Sequence, residues 1–487
     1  MNILNKDIVS GKDFPVKVIQ FGEGNFLRAF ADYMIDVCNE KDLFGGNVVI
    51  VKPRNHGDLS AFKEQDYKYT VSLRGIIDKE PKVVNRVVTS VSDVISAYDD
   101  YDAYMEYAKL DTLRFVISNT TEAGIVYDES DRLDMNPPAS FPGKLTKFLY
   151  ERFKAFSGDI SKGLIILPVE LIDDNGKVLK SCVDKFISLW KLEPEFSNWV
   201  DSACVFCSTL VDRIVSGYPK DEAESIFEEL GYEDKLLVAG EPFALWVIES
   251  PKDISKEFPL RDAGLNVVFT DNIKPYKQRK VRILNGAHTS FVLASYLAGN
   301  NIVLESMNDP DIYKFMHDTV FNEVIPTLSL NKEDLVSFAN EVIDRFKNPY
   351  VKHALLSISL NSVSKWKARC MPSFLDYYNK FGEVPKHLCF SLAALMQFYS
   401  SNKLDGNALC GLRNGEVYKI MDDLDVLKFF AEYSDKPVDV FTKAFLSKDA
   451  FWGTDLSPVG DTYKLVCEYL TTIRESSVRE AIRKFFD

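Results

Sequence analysis

The stretch "VKVIQFGEGNFLRAFADYMID", residues 16–36, runs an apolar strand directly into Gly22 and Gly24 and then into an amphipathic helix that opens near Asn25. Strand, glycine turn, helix is the order a dinucleotide fingerprint requires. The turn needs glycine's backbone freedom, and a pyrophosphate must approach the N–H groups that a helix start leaves unpaired. Gly22, Gly24, Asn25 and Phe26 are therefore candidate cofactor contacts, and Arg28, one turn into the helix, is placed to reach a phosphate. The third position of the pattern holds Leu27 instead of glycine, so a purely structural turn is the competing reading.

Working outward, the first half of the chain alternates short β-branched runs with helical patterns, at 16–21, 47–51, 113–118, 163–171 and 266–270. That alternation predicts a mostly parallel sheet covered by helices. Between about residues 60 and 110, "YKYTVSLRGI" (67–76) and "KVVNRVVTSV" (82–91) read as an inserted pair of strands. Beyond "DNIKP", residues 271–275, the segments 281–298, 331–346, 352–369 and 386–400 carry apolar residues at helical spacing. The expectation is an α/β protein: a Rossmann-like dinucleotide-binding domain over 1–273, then a mostly α-helical domain over 274–487 that carries substrate and catalytic residues. A chain of 487 residues exceeds one hydrophobic core.

Composition excludes several classes. With 46% hydrophobic and 27% charged residues the chain is neither disordered nor a membrane protein. A net charge of −14 argues against a nucleic-acid partner. The N-terminus lacks a secretory pattern, and eight scattered cysteines suit reduced thiols, so a cytoplasmic location is expected. "CVFC", 204–207, has no companion ligands and reads as a buried strand, and no metal site is expected. The remaining partner is a small molecule, bound by a monomer or a homo-oligomer.

Two further strand ends bear on the cofactor. The second strand should deliver the residue that reads the adenosine ribose: an acid for NAD, a base for NADP. Here "VVIVKPRNHG" supplies Lys52 and Arg54 and no acid, a local tilt toward NADP. The strand "FVIS" ends in "NTTEAG", which makes Asn119, Thr120, Thr121 and Glu122 candidates to line the crevice beyond the sheet's carboxyl edge.

In "RKVRILNGAHTSF", 279–291, Asn285 and His288 are i, i+3 neighbours, and Lys280 lies about 80° from His288 around an ideal helix. A lysine whose pKa is lowered by burial and by Lys277, Arg279 and Arg282 can pass a proton to a developing alkoxide. An asparagine amide can donate to the same oxygen. A neutral imidazole can fix an adjacent hydroxyl. Spacing alone leaves a structural histidine on an amphipathic helix as the alternative.

The set "GEGNFLRAF", "NTTEAG", "TLVDRI" (209–214) and "KVRILNGAH" resembles the mannitol dehydrogenase family of polyol-specific long-chain dehydrogenases, from about residue 15 to beyond 470. The resemblance implies a metal-independent, NAD-linked oxidoreductase, with NADP kept open by Lys52 and Arg54. It implies proton transfer by Lys280, substrate contacts from Asn285 and His288, and Asp212 near the substrate hydroxyls. A second oxyanion asparagine of the family is replaced here by Leu171, after Glu170. A family Arg, Asp, Lys set reads as Ser357, Asn361 and Lys365, of which only Lys365 carries over. These departures fit a keto sugar acid, whose carboxylate needs a cation. Lys352, His353, Lys365, Arg369 and Arg213 are the candidates. A different keto acid, a neutral polyol, or a nucleotide sensor without turnover are the alternatives, the last opposed by the retention of Lys280, Asn285 and His288.

Overall fold

The computed structural model describes residues 1–121 and 123–486. The chain divides into two compact units, one formed by Met1–Ile77 and Lys82–Ile273, the other by Asp78–Pro81 and Lys274–Asp487.

The first unit is built on six parallel strands: β1 (Val16–Phe21), β2 (Asn47–Lys52), β3 (Val91–Ser96), β4 (Phe115–Ser118), β5 (Ile165–Pro168) and β6 (Val205–Phe206). Their spatial order is β3-β2-β1-β4-β5-β6, the doubly wound order of dinucleotide folds, whose chain reversal between β1 and β4 opens a crevice at the carboxyl edge. Both faces are buried, as a parallel sheet requires. Val18, Ile50, Phe115 and Ile117 pack with Phe30, Met34 and Trp246. Ile19, Phe21, Val116 and Ile166 pack with Leu145, Phe148, Leu149 and Val183.

Three sequence expectations change. The inserted pair is present as the hairpin Tyr69–Ile77 and Glu80–Val88, but Val91–Ser96, which the sequence did not mark as a strand of its own, follows it as the third strand of the main sheet. The run at 266–270 pairs with Leu245–Glu249 in a separate three-stranded sheet. The helix expected over 352–369 is two, Leu355–Ile358 and Ser362–Arg369, because Asn361 between them sits at φ +54.

The second unit is helical apart from one antiparallel sheet, Leu404–Asp405, Ala408–Arg413 and Glu416–Ile420. Its centre is the pair Gly286–Leu297 and Lys386–Phe398, apolar on nearly every face and packed on each other, the pattern of buried helices. Gly286–Leu297 continues a helix that begins at Lys274 and passes through a π-helical turn, Lys280–Asn285. Among the described residues no helix is long and apolar enough to cross a membrane.

Candidate functional site

In the first unit the glycine turn joins β1 to a helix of three segments, Asn25–Leu27, the π-helical Arg28–Asp32, and Tyr33–Glu40. Gly22 has φ +131 and donates its N–H to the Val51 carbonyl at 3.0 Å. A Cβ there would stand 3.0 Å from the Asn119 carbonyl oxygen, so the fold itself demands this glycine. Gly24 differs. Its φ of −71 suits any residue, it is exposed, and a Cβ would meet nothing within 4 Å. Only a group arriving from outside gives it a reason to lack a side chain, and a pyrophosphate at the N–H groups of Asn25 and Phe26 is such a group. The residues present thus fit a dinucleotide.

Below the turn, Gln20 Nε2 donates to the Gly22 carbonyl at 3.1 Å and to Asp32 at 3.2 Å, and Tyr69 donates to Asp32 at 2.8 Å. Burial pushes the Asp32 carboxyl up to about 7.

Arg28 is engaged within the first unit. Its guanidinium is buried, donates to the Leu236 carbonyl and to Asn25 Oδ1, and lies over the rings of Tyr69 and Phe62 at 5.2 and 5.7 Å. These contacts hold the helix against the Tyr69 strand, while the buried Nε has no hydrogen-bond partner among the described residues. Phe26 stacks on Phe30 at 5.0 Å.

At the end of β2, Lys52 is also turned inward. Its ammonium donates to the Gly57 carbonyl at 2.8 Å and lies 3.7 Å from Asp99, with its side chain 4% exposed. Arg54 is exposed. Lys52, Gly57, Asp58, Asp93, Ser96 and Asp99 line a cavity of about 530 Å³ beyond the ends of β2 and β3, where a doubly wound fold receives the adenosine half.

After β4, the Thr120 amide and hydroxyl both donate to Glu170 Oε1 at 3.0 Å, and Ser118 donates to Oε2 at 3.1 Å. Glu170 is buried, which raises its pKa, and it fixes the β4 end against the β5 end. Its role was not readable from the sequence, where it stood out only as the neighbour of Leu171. Leu171 itself is exposed. Asn119 is half-buried and anchors its amide on the Phe21 carbonyl at 3.0 Å. Thr121 takes φ +82. Glu122 lies outside the described residues.

Asp212 is buried at the end of the strand Ser208–Asp212. Arg213 is corrected as a carboxylate anchor: Nε, Nη1 and Nη2 donate to the carbonyls of Phe243, Ala29 and Pro242, and the guanidinium lies 5.1 Å from the Tyr33 ring. Burial lowers its pKa to about 10.

In the second unit, Lys280 and Asn285 bound the π-helical turn, and His288 follows one turn later. Lys280 and Asn285 are half-buried. An ideal α-helix would point these two about 140° apart. The wider turn, bonded i→i+5, brings residues five apart toward one line. Arg282 leaves this group, because it pairs with Asp376 at 2.6 Å. Arg279 lies over the Phe338 ring at 4.4 Å.

The His288 ring stacks on Phe346 at 4.2 Å and meets the His353 ring edge-on at 5.4 Å. Its Nε2 is buried without a hydrogen-bond partner among the described residues, although part of the residue reaches solvent. Burial first, then His353, Arg345, Arg369 and Lys365, hold its pKa well below the ordinary histidine value, so the imidazole is neutral. Of the proposed cations, Lys352 is exposed, His353 is half-buried with a lowered pKa, and Lys365 donates to the Ile358 carbonyl at 2.9 Å. Among the described residues no group of three His, Cys, Asp or Glu side chains is placed to hold a metal ion.

Comparison with known proteins gives concordant matches. The mannitol dehydrogenase Rossmann domain matches residues 16–262, and the mannitol dehydrogenase C-terminal domain matches residues 272–424. The altronate oxidoreductase of Bacillus subtilis (strain 168) is 41% identical over 489 residues, covering 100% of this chain and 98% of its own. That of Escherichia coli O127:H6 is 43% identical over 490 residues, covering 99% of each. Two solved structures share the fold. Mannitol 2-dehydrogenase of Pseudomonas fluorescens, in a ternary complex with NAD and D-mannitol, has a TM-score of 0.65 at 21% identity over 99% of both chains. A substrate-free D-sorbitol dehydrogenase has a TM-score of 0.77 at 20% identity, over 99% of this chain and 100% of its own.

Proposed function

The chain belongs to the mannitol dehydrogenase family and is an oxidoreductase acting on CH–OH groups, and from that premise we propose that it reversibly reduces D-tagaturonate to D-altronate with NADH. The proposed setting is hexuronate breakdown in the cytoplasm. A nicotinamide dinucleotide held at the Gly22–Gly24 turn supplies the hydride when bound.

The protein's own part is proton transfer and orientation. Lys280 donates a proton to the oxygen that becomes the altronate hydroxyl and recovers it in the oxidative direction. Asn285, brought toward the same line by the π turn, donates a hydrogen bond to that oxygen as its charge develops. His288 stays neutral and offers Nε2 to a neighbouring hydroxyl. That buried, unpartnered nitrogen carries an unmet desolvation penalty which a substrate hydroxyl removes. The observation that supports the sugar-acid reading is that Arg345, Arg369 and Lys365 all act on His288, which is itself uncharged, a surplus of positive charge that a carboxylate answers.

NAD over NADP is supported by the cavity beyond β2 and β3. Lys52 is already engaged by Gly57 and Asp99, and Asp58, Asp93 and Asp99 share the lining. A 2′-phosphate would enter an acidic pocket whose buried cation is spoken for.

The test is initial-rate reduction of D-tagaturonate, D-fructuronate and D-fructose with NADH and with NADPH. The expected result is the highest kcat/KM for D-tagaturonate with NADH. A preference for D-fructuronate or D-fructose overturns the substrate, and a preference for NADPH overturns the cofactor.

A further inference from the structure

Resting on the sugar-acid reading, we propose that Arg369 is the residue that binds the substrate carboxylate and thereby sets the preference for uronates over neutral sugars.

The position of Arg369 follows from a glycine in the catalytic helix. A Cβ on Gly286 would stand 3.3 Å from the Arg369 carbonyl oxygen, so its absence lets the end of the helix Ser362–Arg369 press against the turn carrying Asn285 and His288. Cys370 closes the same contact, its thiol donating to the Gly286 carbonyl at 3.6 Å. From there Arg369 Nη1 reaches the Thr289 hydroxyl at 3.4 Å, and that hydroxyl donates to the Asn285 carbonyl at 2.9 Å. The guanidinium is thus tied to the turn that links Asn285 to Thr289.

The other cations nearby are less suited. Lys365 gives one of its three ammonium donors to the Ile358 carbonyl and otherwise offers a point charge, not a planar fork. Arg345 acts on Glu341, a carboxyl within its reach. Arg213 is in the first unit and holds three backbone carbonyls. Arg369 is half-buried, no carboxylate is among the groups that act on it, and its Nε and Nη2 have no hydrogen-bond partner among the described residues. A partly desolvated guanidinium without a counter-charge is costly unless a ligand provides one. Two free donors in a planar fork match a carboxylate in bidentate geometry. His353, beside His288 at 5.4 Å, is neutral-leaning for lack of solvent and adds a hydrogen-bonding edge, not a competing charge.

The test compares D-tagaturonate with D-tagatose, which has a hydroxymethyl group where the uronate has its carboxylate, in wild type, Arg369→Met and Arg369→Lys. In Arg369→Met, KM for D-tagaturonate is expected to rise at least 30-fold with kcat within 10-fold, and the ratio of kcat/KM between the two substrates to collapse. Arg369→Lys, which keeps the charge without the fork, is expected to fall between. If both variants keep the wild-type KM for D-tagaturonate, or if kcat falls while KM holds, Arg369 is a packing residue and the proposal fails while the uronate reading stands. If wild type itself shows no preference for D-tagaturonate over D-tagatose, the uronate reading fails and the proposal with it.

Discussion

Lys280 and Asn285 open and close a single π-helical turn inside an otherwise α-helical rod. A regular helix would set residues five apart about 140° from one another, and a turn bonded i→i+5 reduces that angle. Such turns recur at functional sites because they redirect side chains without breaking the rod.

If Lys280 moves the proton, Lys280→Ala removes a step that general acid–base catalysis accelerates by roughly 10² to 10⁴-fold. The expected result is a fall of that size in kcat for ketone reduction, with NADH binding by fluorescence within about threefold of wild type. Near-normal turnover in this variant would show that another group carries the proton.

The two glycines of the turn are expected to separate. Gly22→Ala forces a side chain at φ +131 and 3.0 Å from the Asn119 carbonyl, and strained backbone of this kind costs about 1–3 kcal/mol. Gly24→Ala meets nothing within 4 Å at an ordinary φ, so stability should hold within about 0.5 kcal/mol while affinity for NADH drops at least 10-fold. The check is thermal unfolding alongside NADH titration. Loss of stability in Gly24→Ala without loss of affinity would reverse the assignment.

Asp32 predicts a pH dependence of stability. Its carboxyl, ordinarily near 3.8, is pushed up to about 7 by burial. Below pH 4 it is protonated in both folded and unfolded chains. As the pH rises the unfolded chain ionises first, so stability falls from about pH 4 to pH 7 and then levels, by up to about 4 kcal/mol. Asp32→Asn keeps an acceptor for Tyr69 and cannot ionise. Its urea midpoint is expected to match wild type near pH 3 and to exceed it at pH 8. Parallel curves across that range would show that Asp32 does not titrate there. Because Gln20 bridges Asp32 to the Gly22 carbonyl, the wild-type affinity for NADH should weaken over the same window.

The glycine turn and the change from α/β to helical texture are legible in the sequence because each rests on local demands, a positive φ at Gly22 and the spacing of apolar residues. What escaped depends on partners far along the chain. Lys52 and Asp99 are 47 positions apart, so the second strand read as basic. Arg213 read as a substrate cation or as an ion-pair partner of Asp212 because its partners are backbone carbonyls, which leave no trace in residue identity. Val91–Ser96 was hidden by Ser92 and Asp93, polar residues in a strand whose carboxylate accepts from Tyr107. The π turn has no residue signature at all, since it arises from which carbonyl each N–H chooses. Arg369 was one cation among five until Gly286 placed it.

Asp99 is expected to govern the choice between cofactors. It lies 3.7 Å from Lys52, its side chain is 72% exposed, and it shares the cavity with Asp58 and Asp93. An exposed carboxylate there repels the 2′-phosphate of NADPH and leaves the ribose hydroxyl of NADH unopposed. Asp99→Asn removes one negative charge and returns Lys52 a measure of free positive charge. At an effective dielectric near that of a protein surface, one such change is worth about 1–2 kcal/mol at phosphate distances. The expected outcome is a rise of roughly 10-fold in kcat/KM for NADPH, with NADH changed less than threefold, the gain shrinking as salt is raised because the contact is exposed. Equal effects on both cofactors would mean that Asp99 serves only to hold Lys52, and that the preference is set by the shape of the pocket instead of its charge.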